Sequence, residues 1–227
     1  MGSARLERDR DVAVLPAGVA YAARLLSAKR EVAHAYAAAD LDVGELIRLR
    51  ERLGSSAKRL PMYEAFLVRA AALALRGGPA AVGQGATHVA VSMGGAPWEG
   101  SQAPVVRAAD AKSVLKISAE LEDAVRLVRA GALRLEEQGG ATFTVSCYMG
   151  ADAPAVTVTE VLEPPQLGVI TLSAPRQRVS LSPSGPRVSE LATATLTYNA
   201  TLMDETEASA LLKSCGNFLQ NPQSLLI

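Results

Sequence analysis

Few residues of this 227-residue chain are of the types that carry out chemistry. Near neutral pH the obvious proton carriers and nucleophiles are histidine, cysteine and lysine, with an activated hydroxyl as a further nucleophile. The stretch Thr193 to Ala210 reads TATLTYNATLMDETEASA. It begins as an alternating β-branched and apolar run and ends at Asp204-Glu205-Thr206-Glu207, which is built like the mouth of a helix. It holds no histidine, cysteine or lysine, so hydroxyls are its only nucleophiles and it lacks an obvious proton carrier.

The remaining candidates are scattered. His34 and His88 are the only histidines, and neither has a cysteine partner at metal-site spacing. Each reads as a structural or solvated histidine. Cys147 and Cys215 are too few and too far apart for a disulfide framework, so a reducing compartment is the simpler expectation. Each reads as an inert thiol rather than a reactive one. Gly94-Gly95 beside Trp98 lacks the lysine and hydroxyl of a phosphate loop and reads as a hairpin end. Arg126 and Arg129 read as the solvated face of a helix.

Composition narrows the classes. Lys plus Arg and Asp plus Glu are 23 each, a net charge of +0, which argues against a general nucleic-acid groove. The same balance weakens the repulsion that opposes self-association. No apolar run reaches membrane-spanning length unbroken, and no signal or transit peptide is visible. Hydrophobic residues make up 49% but aromatics only 4%, so Ala, Val and Leu must fill the core.

The elements that must position these residues follow in order. Residues 1–11 read as a charged arm and 12–227 as one domain. A helix starts near Pro16 and runs to Arg30. An extended segment covers Ala33 to Val43. A second helix spans Glu45 to Leu53 and is expected to stop at Gly54. Met62 to Arg76 is the strongest helix, with Phe66, Ala70, Leu73 and Ala74 at helical spacing. Strands are expected at Thr87–Met93, Ala103–Val106, Thr142–Ser146, Ala155–Val161 and Val169–Ser173, with Pro164-Pro165 as an extended entry to the last. A helix spans about Ser113 to Ala130. A hairpin over Gln177–Pro186 leads to a long strand, Val188–Leu196, then a closing helix, Glu207–Leu219. This order favours an α+β sandwich over a doubly wound fold.

Several blocks then match one family in order. Ala23-Arg24-Leu25 to Lys29 with His34-Ala35-Tyr36, the alanine-rich Ala70 to Leu75, Pro104 to Asp110 (PVVRAAD), Gly139-Gly140 with Phe143 to Ser146, and Pro164-Pro165-Gln166 lie along nearly the whole chain. The chain resembles the catalytic core domain of the dihydrolipoamide acyltransferases, the E2 components of 2-oxoacid dehydrogenase complexes. The resemblance implies a two-layer α+β sandwich of the chloramphenicol acetyltransferase type, assembled as a trimer with each active site at a subunit boundary.

The family's chemistry lies in a motif D-H-R-x-x-D-G after the long strand. Here the matching residues are Asn199, Ala200, Thr201, Leu202, Met203, Asp204 and Glu205. The resemblance implies that the histidine is the base that deprotonates a coenzyme A or dihydrolipoyl thiol. Ala200 has no lone pair for that task, and losing such a base costs about 10²–10⁴-fold. Only Asp204 of the motif survives. The resemblance makes it the ion-pair partner of Arg24; the local pattern makes it a helix N-cap. Ser146, or its neighbour Cys147, falls where the family places the hydroxyl that stabilises the oxyanion, although an ordinary strand-end serine is the plainer reading.

Within the family these departures are similar to the non-catalytic core of fungal protein X, the E3-binding protein of pyruvate dehydrogenase complexes. That resemblance implies a mitochondrial-matrix scaffold whose homotrimers dock inside the E2 core. It also implies no cofactor in this fragment, a lipoyl domain elsewhere in the full-length protein, and recruitment of E3 dihydrolipoamide dehydrogenase through an upstream domain. No metal, nucleic acid or membrane is expected as a partner. The closing helix and Leu225-Leu226-Ile227 are candidate docking surfaces. A coenzyme A-binding relic and an active acetyltransferase with a rearranged base, His34 among the conceivable groups, are the alternatives.

Overall fold

The computed structural model describes residues 16–57, 59–78, 87–92, 103–150, 157–182 and 185–226. The expected arm, the turn around Trp98 and residues 155–156 lie outside them, as does Ile227. The ordered elements are α1 (Pro16–Glu31), β1 (His34–Asp42), α2 (Gly44–Ala57), α3 (Tyr63–Gly77), β2 (Val89–Ser92) and β3 (Val105–Val106). They continue with α4 (Val114–Arg129), β4 (Phe143–Cys147), β5 (Gly168–Leu172), β6 (Arg176–Ser182), β7 (Gly185–Asn199) and α5 (Glu205–Gln220), closed by a 3-10 turn at Pro222–Leu226.

One seven-stranded mixed sheet runs β1-β7-β5-β4-β2-β3, with β6 paired to the outer part of β7. The β2–β4 and β4–β5 pairs are parallel and the rest antiparallel. Strand alternation assigns the two faces. Val89, Val91, Phe143, Val145, Ile170, Leu172, Ala194 and Leu196 join the main core with residues of α2–α5. The opposite face carries Ser92, Thr144, Ser146, Thr171, Thr193, Thr195 and Thr197, and a small cluster of Val32, Leu162 and Val169. This is the two-layer α+β arrangement expected.

The scarcity of aromatics is met by close approach. Helix α3 lies between the sheet, α4 and α5, and buries Ala65, Ala70, Ala71, Ala72 and Ala74. Alanine suits this position, having high helix propensity and a side chain that keeps neighbours near. Arg69 of α3 is nearly buried, and its Nη1 donates to the carbonyls of Ala109 and Asp110. Asp110 accepts from the Thr87 backbone N–H at 3.0 Å. The PVVRAAD block is therefore a structural bracket here. At the end of α4, Gly131 has φ +62 and Ala132 N–H reaches the Leu127 carbonyl at 2.9 Å, a Schellman ending.

Four sequence expectations are corrected. Gly54 does not stop α2, which continues to Ala57. A Cβ at Gly54 would fall 2.4 Å from Leu60 Cδ2, so the residue is small because the chain returns across it. The expected strand Ala155–Val161 forms no ladder over 157–161, because β4 and β5 pair directly with each other. Pro164-Pro165, joined by a cis bond, is a turn rather than an extended entry, with Gln166 N–H on the Glu163 carbonyl at 3.0 Å. Helix α5 also starts two residues before Glu207.

Gly168 opens β5 where neighbouring atoms approach closely. A Cβ there would meet Phe143 Cε2 at 2.9 Å and the Thr197 carbonyl oxygen at 3.1 Å. Backbone cannot yield as a side-chain end can, so overpacking should cost about 1–3 kcal/mol. Urea unfolding of Gly168→Ala should show a lower midpoint at unchanged slope; an unchanged midpoint would refute this packing.

Candidate functional site

The corner at the end of β7 gathers Asn199, Ala200, Thr201 and Asp204. Its geometry is set by local hydrogen bonds. Asn199 Oδ1 accepts from the Thr201 N–H at 3.0 Å and the Thr201 hydroxyl at 2.7 Å, closing an Asx turn. Ala200 N–H donates to the Ala33 carbonyl at 2.8 Å, and its methyl group is exposed. Met203 is buried in the core and pins the turn from beneath. Asp204 caps α5 in a full capping box. Its Oδ1 accepts from Glu207 N–H at 2.8 Å, and Glu207 Oε2 accepts from Asp204 N–H at 3.0 Å. Asp204-x-x-Glu207 was the readable signal for this.

The expected Arg24–Asp204 ion pair is not formed. Arg24 Nε instead meets Glu163 at 2.7 Å. The end of α1 leads to Val32, which packs with Leu162, so the helix runs beside residues 160–163. Of the two roles weighed for Asp204, the N-cap is the one present.

His34 lies on β1 directly opposite Asn199. Its Nδ1 contacts the Val32 carbonyl oxygen at 2.8 Å, and its Nε2 receives the Leu162 N–H at 2.9 Å. A carbonyl can only accept and an N–H can only donate, so the ring is held as the neutral Nδ1–H tautomer. Its one lone pair is already engaged. His34 is a latch between β1 and residues 160–163, not a free base. His88 is likewise structural: its Nδ1 accepts from Ala108 N–H at 3.0 Å and supports the left-handed turn at Ala108, φ 47.

Ser146 is not at this corner. It sits on β4, 3% exposed, aligned with Ser92 on one side and Thr171 on the other. Thr171 in turn faces Thr195. Ala200 lies two strands away and five residues further along, about 10 Å across and about 17 Å along. One chain cannot bring the two together. Cys147 points to the helix side of the sheet, so it is excluded as the oxyanion donor. Burial raises its thiol well above the usual range, and the Glu64 carboxylate raises it further. Burial pushes Cys215 up to about 12. Both thiols are inert at neutral pH. Arg126 pairs with Asp123 on an exposed face of α4, as a solvated arginine does. Among the described residues no group of three His, Cys, Asp or Glu side chains could hold a metal.

The group that sequence reasoning missed is Glu160. Burial raises its pKa, and hydrogen bonding from Ser146 partly offsets the rise. Two residues further on, Leu162 is fully buried on Val169 and tied to His34. Gln166 Nε2 reaches Thr144 Oγ1, on the same face as Ser146, at 2.8 Å. The segment 160–166 thus covers the hydroxyl face of β4. Nothing in its alternating sequence signals that role.

The model of the 2-oxoacid dehydrogenases acyltransferase catalytic domain matches residues 7–227. The chain belongs to that family. It is 26% identical over 220 residues to the Arabidopsis thaliana acetyltransferase component 2 of the mitochondrial pyruvate dehydrogenase complex, covering 91% of this chain and 40% of the relative. It is 28% identical over 218 residues to the mitochondrial pyruvate dehydrogenase protein X component of Mus musculus, covering 90% and 42%. The chain thus spans less than half the length of these relatives. Its fold matches the cubic core of the pyruvate dehydrogenase multienzyme complex with a TM-score of 0.83 at 20% identity, covering 99% of this chain and 96% of that one.

The latch predicts a measurable cost. His34→Ala leaves the Leu162 N–H buried without its acceptor, which should destabilise by about 1–3 kcal/mol. The amides of residues 160–163 should lose hydrogen-exchange protection more than those of β7. Equal protection in variant and wild type would show that His34 does not hold this segment.

Proposed function

We propose that this domain is a non-catalytic assembly core of a pyruvate dehydrogenase-type complex. The observation that carries the reading is Ala200, an exposed methyl group where the family places its base. Among the described residues no neighbour in the corner replaces it. Asn199 and Asp204 are committed to backbone hydrogen bonds, and His34 has used its lone pair. Thiol deprotonation at neutral pH therefore lacks an acceptor there.

The retained parts are those that build and present a surface. The sheet, the capping box and the PVVRAAD bracket keep the family's architecture. Apolar side chains remain exposed on the β6–β7 hairpin, namely Val179, Leu181 and Val188, and on α1, namely Val19 and Leu26. These favour a closed homotrimer, which buries like patches on every copy. Of the suggested docking tail, Leu225 is buried in its own chain's core while Leu226 is exposed. In this reading the trimer docks inside an E2 dihydrolipoamide acetyltransferase core in the mitochondrial matrix; the names of the plant and mouse relatives give them as mitochondrial, which supports the compartment. The longer protein carries a lipoyl domain and recruits E3 through upstream segments, for which the greater length of the relatives leaves room.

Native mass measurement should give a trimer of the 23.7 kDa chain. Co-sedimentation with a purified E2 core should retain it in the large particle. A stable monomer that stays in the supernatant would contradict the proposal.

A further inference from the structure

Helix α1 is apolar on opposite sides. At the helical period, Tyr21, Leu25 and Ala28 share the side that faces the chain, with Ala28 buried and the other two half-buried. Val19, Ala22, Ala23 and Leu26 share the outer side and are all exposed, with Arg30 at its end. The β6–β7 hairpin carries a second bare surface. Its register sets Val179 opposite Val188 and Leu181 opposite Pro186 on one face, with Gln177 opposite Glu190 at the base. All four apolar side chains are exposed, Leu181 to 88%. The other face is occupied: Arg176 pairs with Asp40 and Arg187 with Asp42, which ties the hairpin to β1. A two-stranded ribbon with a bare apolar face is marginal in water.

Within one chain the two surfaces do not meet. The end of α1 is anchored at the His34 end of β1, through Val32 on Leu162 and the Leu162 N–H on His34. The hairpin leaves from the Asp42 end, about 26 Å away along the strand. The surfaces nevertheless match. Val19 to Arg30 spans about 16 Å of helix, and Pro186 to Glu190 about 13 Å of strand. Each ends in one charge, and the two charges are opposite. Among the described residues neither Arg30 nor Glu190 has an ion-pair partner, Glu190 accepting only from Gln177 Nε2 at 2.9 Å.

We propose that the outer side of α1 in one copy docks on the apolar face of the β6–β7 hairpin in the next copy, with Arg30 meeting Glu190. The inference rests on the homotrimer reading and names the surfaces that close it. A cyclic trimer is built from head-to-tail contacts between unlike surfaces, and these are two unlike surfaces of the same chain. Each contact removes both from water.

The test joins the surfaces covalently. In the Leu26→Cys/Val188→Cys double variant, mild oxidation should give up to three cross-linked chains on a non-reducing gel. Either single variant should stay uncross-linked, as should the wild type, whose Cys147 is half-buried and Cys215 buried. Cross-linking by Val188→Cys alone would show hairpins meeting each other and overturn the contact. A double variant that is trimeric by native mass but does not cross-link would overturn the contact and leave the trimer standing. A monomeric wild type would overturn both. Charge gives a second readout. Arg30→Glu should raise the concentration needed for trimers about fivefold, the upper end for an exposed ion pair. Adding Glu190→Arg should reverse the loss; no reversal would show that the two charges do not meet.

Discussion

The structure depends on the register of β7. This strand of fifteen residues pairs with β1 along its inner half, with β5 on the opposite edge, and with β6 along its outer half. A slip of one residue would turn Thr193, Thr195 and Thr197 into the helical core and expel Ala194 and Leu196. Alternation between small apolar and hydroxyl residues therefore fixes three pairings together. Where β7 ends, the position of Ala200 and the entry to α5 are fixed as well. Asp204 and Met203 then hold that corner, one by capping the helix and the other by filling the core.

The elements with strong local signals were legible. The alanine-rich period of α3, the Asp204-x-x-Glu207 cap and the β7 alternation each point to the structure adopted, because local preference and tertiary packing agree there. The failures occur where tertiary context decides. Gly54 carries a stop signal, but the helix continues because Leu60 folds back over it. Thr157 to Val161 alternates as a strand should, but the strands it could join are already paired with each other. Arg24 and Asp204 are linked by resemblance, whereas the path of α1 delivers Arg24 to Glu163. Glu160 had no sequence signal at all, since a lone carboxylate in an alternating run reads as a solvated face.

The candidate site falls into two halves that a single chain holds apart. At the corner, Asn199, Thr201 and Asp204 are engaged in turn and cap hydrogen bonds, and Ala200 presents a methyl group. On the sheet, the hydroxyl row persists but is covered by a segment that His34, Arg24 and Thr144 hold down. Both changes keep the fold intact. An Asx turn and a capping box stabilise the β7–α5 junction whether or not a histidine stands between them. A scaffold needs the junction's shape, whereas an acyltransferase would also need an unengaged lone pair. His34 shows the distinction well: it is a histidine beside the corner whose proton inventory is consumed by holding a loop.

The most direct measurement is the rate at which the unaltered, purified chain transfers acetyl groups between coenzyme A and dihydrolipoamide, measured across neutral pH. Without a proton acceptor at Ala200, that rate should match the uncatalysed background at every pH. Saturable turnover well above background, rising with the ionisation of a single enzyme group, would contradict the account.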